Sequence, residues 1–171
     1  MKIYITTPIY YINAEPHIGH AYTTIAADTL ARFYRMAGYD VFFLTGTDEH
    51  GQKIYDAAKK QNITIKELVD RNSEIYKKLW DMLNISYTRF IRTTEPEHEE
   101  TVRKIFTKLL EKGDLYKGEY EGYYCTPCES YAIPEDEKSP LCPDCKRPMS
   151  KISEPSYFFR MSKYAKQLEK Y

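Results

Sequence analysis

A chain of 171 residues, 42% of them hydrophobic, can bury a real core and fits one domain carrying a small insertion better than two full domains. Lys and Arg number 25, as do Asp and Glu, so nothing in the overall charge demands a polyanionic partner, and any RNA contact has to come from a local patch. The opening Met1-Lys2-Ile3-Tyr4-Ile5 turns polar at Thr6-Thr7-Pro8 too soon for a signal peptide, and no later run approaches membrane-spanning length, so the expectation is a soluble, cytoplasmic protein without membrane contact.

In chain order, the apolar and β-branched residues from Lys2 to Thr7 stop at Pro8, as a short strand feeding a loop through Glu15 would. Pro16 suits the first turn of a helix, and Ile25, Ala26, Leu30, Phe33, Tyr34 and Ala37 follow at helical spacing until Gly38. Val41-Phe42-Phe43-Leu44 reads as a strand buried on both faces of a parallel sheet, which outlines a βαβ unit. Two capping boxes, Thr64 with Glu67 and Thr94 with Glu97, open further helices. The first carries Ile65, Leu68, Val69, Ile75, Tyr76, Leu79 and Leu83 on one face; the second carries Val102, Ile105, Phe106, Leu109 and Leu110 and ends at Gly113. Between them Tyr87 to Ile91 is a third strand. From Leu115 to Tyr124 the residues alternate like an antiparallel hairpin, Tyr157 to Met161 is a return strand, and a helix starts at Ser162.

His17-Ile18-Gly19-His20 stands at the start of the first helix, just beyond the carboxyl end of a strand, where open α/β sheets bind ligands. Free backbone N–H groups and the positive end of the helix dipole suit phosphate there. Histidines at i and i+3 project on one side, and Gly19 lets a flat group approach the backbone closely. That arrangement can hold a nucleotide; the alternative is that one histidine caps the helix and the other packs in the core. The second strand ends in Thr45-Gly46-Thr47-Asp48-Glu49-His50-Gly51, and in a βαβ unit this end lies beside the first strand's, directing Asp48 into the same crevice as His17 and His20. A carboxylate there can bind an ammonium group, or else cap a helix starting near Gly51. Tyr10 and Tyr11, beside Pro8, can wall an apolar pocket or simply pack.

All four cysteines fall in two C-x-x-C pairs, Cys125-Thr126-Pro127-Cys128 and Cys142-Pro143-Asp144-Cys145, thirteen residues apart. That spacing supplies a four-thiolate tetrahedral set, as in a zinc knuckle. Four thiolates close the coordination sphere, so one structural Zn2+ is expected. Two disulfides are the competing reading, disfavoured by the missing signal peptide.

The strand, loop and helix carrying His17-Ile18-Gly19-His20 resemble the HIGH signature of class I aminoacyl-tRNA synthetases. Within that class, Thr6-Thr7-Pro8-Ile9-Tyr10-Tyr11, Thr45 to Gly51 and the knuckle resemble the methionyl-tRNA synthetases, together covering nearly the whole chain. The resemblance implies an α/β, Rossmann-like parallel sheet: residues 1–114 form the first half of the nucleotide-binding catalytic domain, 115–156 a zinc-knuckle connective insertion, and 157–171 the return. It implies ATP contacts at His17, Gly19 and His20, a methionine ammonium site at Asp48, and a side-chain site bordered by Pro8, Ile9 and Tyr10. It likewise implies zinc on Cys125, Cys128, Cys142 and Cys145, Mg2+ with ATP, and methionine, ATP and initiator and elongator methionine tRNA as partners.

The family's KMSKS loop is missing. Met149-Ser150-Lys151-Ile152-Ser153 and Arg160-Met161-Ser162-Lys163-Tyr164 echo it in letters but lie beside the knuckle and in the first half of the fold, so the chain alone is expected to be inactive. Three rival readings stay open: an H-x-G-H nucleotidyltransferase, a class I synthetase for another amino acid, and a nucleic-acid module built on the knuckle. Against the last, Lys138, Lys146, Arg147 and Lys151 sit amid Glu135, Asp136, Glu137 and Asp144.

Overall fold

The structure is a computed structural model describing residues 1–134, 136 and 139–171; the charges of Glu135, Glu137 and Lys138 lie outside the described residues. The chain forms two compact units, Met1–Thr101 and Val102–Tyr171. Among the described residues no helix is long and apolar enough to cross a membrane.

The first unit is an α/β layer on a parallel sheet of order β1-β2-β3, with β1 at Lys2–Tyr11, β2 at Asp40–Asp48 and β3 at Arg89–Arg92. Helices α1 (Ile18–Met36), α2 (Gln52–Gln61) and α3 (Ile65–Met82) connect and cover it, and α4 (Pro96–Glu111) follows β3. Strand β1 does not stop at Pro8. Proline cannot donate to a ladder, but β1 is an edge strand and its register shifts between Thr6 and Ile9, so pairing resumes as Ile9 with Gly46, Tyr10 with Thr47 and Tyr11 with Asp48. The extension brings the carboxyl ends of β1 and β2 side by side.

Helix α1 begins after His17 rather than at Pro16, and its inner face differs from the expected one. Thr24, Asp28 and Ala31 are buried, whereas Ile25, Leu30 and Phe33 are 45%, 53% and 62% exposed. The polar pair tolerates burial because each is satisfied: Thr24 donates to the His20 carbonyl at 3.0 Å, and Asp28 accepts from the Ser86 amide at 2.7 Å and from Arg32 Nε at 2.6 Å. Strand β2 is not buried on both faces over its first half. Val41 and Phe43 are buried, but Phe42 is half-exposed and stacks on Tyr4 at 6.0 Å.

Gly46, near the end of β2, has no room for a side chain: a Cβ there would lie 2.1 Å from the Ile91 carbonyl oxygen. Because the obstacle is the backbone of β3, Gly46→Ala is expected to destabilise the first unit by about 3 kcal/mol, the upper end of overpacking costs, read as a lowered denaturation midpoint.

Thr64 caps α3, with Glu67 returning to the Thr64 amide at 2.8 Å, as the capping box requires. Its inner face presents Leu68, Val69, Asn72, Ser73, Tyr76 and Trp80 to a core shared with Ile12, Phe43 and Ile54. The second capping box is not formed. The Thr94 hydroxyl donates to Glu49 at 2.5 Å, Glu97 accepts from Arg89 at 2.9 Å, and Pro96 opens α4. A buried carboxylate outbids an exposed helix end for the threonine.

The second unit is an antiparallel sheet of order β5-β4-β6, with β4 at Leu115–Cys125, β5 at Ser130–Ala132 and β6 at Ser150–Phe159. Leu115 to Tyr124 is thus one long strand rather than a hairpin, and its partner β6 arrives only after the cysteines. Alternation reports a face, not a turn, and without a turn residue pair it cannot locate one. A 3-10 turn at Met161–Tyr164 and the short α5 (Ala165–Leu168) follow. Asp114 ties this end to the turn before β4: buried, it accepts from Lys163 at 2.5 Å and from the Tyr164 hydroxyl, and those bonds hold its carboxyl down at about 2.

Candidate active site and metal centre

Beyond β1 the chain enters a loop whose Ile12 is fully buried and whose Ile12 carbonyl accepts from Asn72 Nδ2 of α3 at 2.7 Å. The loop ends at His17, extended at φ −128° and ψ 175°, which is the N-cap of α1. His17 Nδ1 accepts from the Gly19 amide at 3.1 Å, and His20 Nδ1 accepts from the His17 amide at 3.1 Å. The two rings stack with centroids 3.8 Å apart. A Cβ on Gly19 would press to 3.0 Å on the His17 ring, so the small residue lets that ring fold back over the helix end.

Both Nδ1 atoms act as acceptors of fixed amide hydrogens, so each neutral ring carries its proton on Nε2. The amino end of α1 thereby offers two imidazole N–H donors, while the Gly19, His20 and Ala21 amides bond to His17. Burial, then the neighbouring His17, lowers the His20 pKa, favouring the neutral ring. One histidine does cap the helix, as the alternative reading had it, and the cap is what orients both rings.

Of the residues expected around a side-chain pocket, Pro8 and Ile9 are exposed, while Tyr10 is buried with its hydroxyl 2.7 Å from Thr24 Oγ1. Tyr10 meets the His20 ring edge-on at 4.9 Å. Asp48 closes β2, paired with Tyr11 and partly exposed; its Oδ1 lies 3.5 Å from the His50 amide. It does not cap α2: the N-cap is Gly51, at φ +113°, with no side-chain cap bond.

Sequence reasoning missed the residue that anchors this strand end. Glu49 is 1% exposed and accepts from Arg92 Nε and Nη2 at 2.7 and 2.9 Å, from Thr47 at 2.6 Å and from Thr94 at 2.5 Å. Its amide donates to Thr93 at 2.9 Å, and Arg92 reaches Asp70 at 2.6 Å. A buried carboxylate persists when paired and fully hydrogen-bonded, and these partners hold the Arg92 guanidinium firmly protonated. The available signal was parity: Thr45, Thr47 and Glu49 alternate along one face, and all three are buried.

In the second unit the four cysteines are unbridged, and their Sγ atoms all lie within 4.8 Å of one another. Cys125 and Cys145 sulfurs are 3.5 Å apart, and Cys128 and Cys142 3.9 Å. A tetrahedral zinc with bonds of about 2.3 Å sets its sulfurs roughly 3.8 Å apart, so the cluster fits such an ion and is far too open for disulfides. The Arg147 amide donates to Cys145 and draws its thiol down to about 7, whereas burial pushes Cys125 up. Leu141 bridges to Pro148, closing the second knuckle.

Comparison with known proteins agrees with this geometry. The family model described as tRNA synthetases class I (M) matches residues 3–154. The methionine–tRNA ligases of Clostridium tetani and Thermotoga maritima are 58% and 53% identical over 98% and 100% of the chain, which spans 26% and 28% of their own lengths. Among solved structures, the Mycobacterium tuberculosis methionyl-tRNA synthetase in complex with methionyl-adenylate superposes with a TM-score of 0.89 at 40% identity, over 98% of this chain and 34% of that one. The chain spans about a quarter of the length of the curated relatives it matches. With a family match over most of its length and more than half of its residues shared with these ligases, the chain belongs to the methionine–tRNA ligase family of class I tRNA synthetases.

Proposed function

We propose that the protein is a methionine–tRNA ligase, activating methionine with ATP and passing the methionyl group to the 3′ end of initiator and elongator methionine tRNAs in the cytoplasm. The observation that carries this reading is the stacked imidazole pair at the amino end of α1, with both Nδ1 atoms occupied, next to the strand end where Tyr11 pairs with Asp48.

Methionine's carboxylate is already a nucleophile at neutral pH. One of its oxygens bonds to the α-phosphorus of ATP, supplied as the magnesium complex, and the bond to pyrophosphate breaks. No proton leaves the nucleophile, so the site needs no general base. Its work is to hold two reactants in line and to offset charge growing on the phosphates. His17 and His20, as Nε2–H donors, suit the phosphates, and the small Gly19 lets ATP approach the helix end closely. Asp48 suits the ammonium group, and Pro8, Ile9 and the Tyr10 ring suit the border of the thioether side chain. Such apolar contact alone discriminates modestly among amino acids.

Cys125, Cys128, Cys142 and Cys145 would hold one structural zinc, whose closed sphere of four thiolates leaves no position for substrate. In this reading residues 115–156 are a connective insertion between 1–114 and 157–171 of the catalytic domain.

The test is charging: the full-length protein with ATP, labelled methionine and tRNA should form an alkali-labile methionyl ester on the terminal ribose. Formation of methionyl-adenylate without any ester would refute the transfer step.

A further inference from the structure

Tyr76 of α3 is fully buried, and its hydroxyl lies 3.1 Å from Nδ1 of His20. Its ring sits 5.4 Å from His20, 5.8 Å from Tyr10 and 6.0 Å from Trp80. The direction of the Tyr76 bond follows from the helix cap. The His17 amide hydrogen also points at His20 Nδ1, at 3.1 Å, and an amide hydrogen can be neither removed nor rotated away. His20 Nδ1 therefore keeps its lone pair, the Tyr76 hydroxyl is the donor, and the imidazole proton resides on Nε2.

The other nearby phenol is not a substitute. The Tyr10 hydroxyl is engaged elsewhere: it lies 2.7 Å from Thr24 Oγ1 and 3.4 Å from the His20 carbonyl oxygen, to which Thr24 also donates at 3.0 Å. Burial, with Tyr10 adding to it, pushes Tyr76 up to about 12, which keeps its proton in place at every pH at which such an enzyme works.

We propose that Tyr76 is a positioning residue for His20, fixing the imidazole's orientation and reinforcing, beside the His17 amide on the same Nδ1, the neutral Nε2–H form that faces ATP. The proposal rests on the reading of His20 as an ATP contact. Titratable groups facing His20 are His17, stacked on it, and the phenols of Tyr10 and Tyr76. A donor on Nδ1 stabilises only the neutral ring, so removing it makes protonation easier and moves the loss of activity on acidification to higher pH.

The test is a double-mutant cycle on the full-length protein, read by methionine-dependent ATP–pyrophosphate exchange across pH. Tyr76→Phe, which removes one oxygen, is expected to lower exchange about three- to tenfold at neutral pH and to shift the acid limb upward, with the methionine KM unchanged. In a His20→Ala background the same substitution should change nothing, because the group Tyr76 serves is gone. An equal loss in both backgrounds would overturn the positioning role and assign Tyr76 to packing. If His20→Ala alone leaves the ATP KM and kcat untouched, the ATP-contact reading falls and the proposal with it.

Discussion

Chelating the zinc proposed on the four cysteines, or replacing Cys142 with serine, is expected to unfold the stretches 123–134 and 139–152. Their core is Cys125, Cys142 and Met149, with Tyr123, Ala132 and Cys145 against it. Ordering a backbone costs about 1–2 kcal/mol per residue, and one methionine, one partly buried tyrosine and a few small neighbours cannot offset that. In the zinc-bound reading the remaining stabilisation comes from the thiolate–metal bonds, worth on the order of 10–16 kcal/mol in small zinc domains. Hydrogen exchange is the measurement: amides of these stretches, including those of β5 and the amino end of β6, should lose protection when one metal equivalent is released. Retained protection in the stripped protein would mean that the cysteines pack without an ion.

Asp48→Asn should disable the enzyme while leaving it folded. The amide keeps an acceptor toward the His50 amide, removes the charge, and leaves the Glu49–Arg92 clamp beside it intact. Truncating one side of a desolvated charge pair costs about 2–5 kcal/mol, which converts to roughly 30-fold to several thousand-fold in kcat/KM for methionine. The ATP KM and the melting temperature should hardly move. A parallel loss toward ATP, or a drop in stability, would show that Asp48 shapes the strand end instead of meeting the ammonium group.

The sequence displayed the chemistry more plainly than the packing. Cys125, Cys128, Cys142 and Cys145 were legible because ligand spacing is local, and periodicity with capping boxes showed β1, α1, β2, α3, β3 and α4 in order, whereas α2 entered only as a helix near Gly51 that Asp48 could cap. The inner face of α1 was not legible: Ile25, Leu30 and Phe33 form the more apolar stripe, yet Thr24, Asp28 and Ala31 go inside. What decides this is Ser86, a partner of Asp28 that no helical wheel contains, while Thr24 is satisfied by the His20 carbonyl one turn earlier in the same helix. The same holds for Thr94, read as a cap and used instead by Glu49, forty-five residues earlier. Tyr76 looked like one apolar position among seven; its hydroxyl acquires a role only where α3 passes the His17–His20 turn. Of the rival functions, a nucleotidyltransferase leaves the knuckle and Asp48 without purpose, and family membership disfavours both it and a knuckle-centred nucleic-acid module.

The most direct test of the central claim is ATP–pyrophosphate exchange by the full-length protein against a panel of amino acids. Exchange with methionine, sharply reduced but still measurable in His20→Ala and in Asp48→Asn, is the expected result; exchange driven equally by leucine, valine, isoleucine or cysteine, or none with any amino acid in a folded protein, would contradict it.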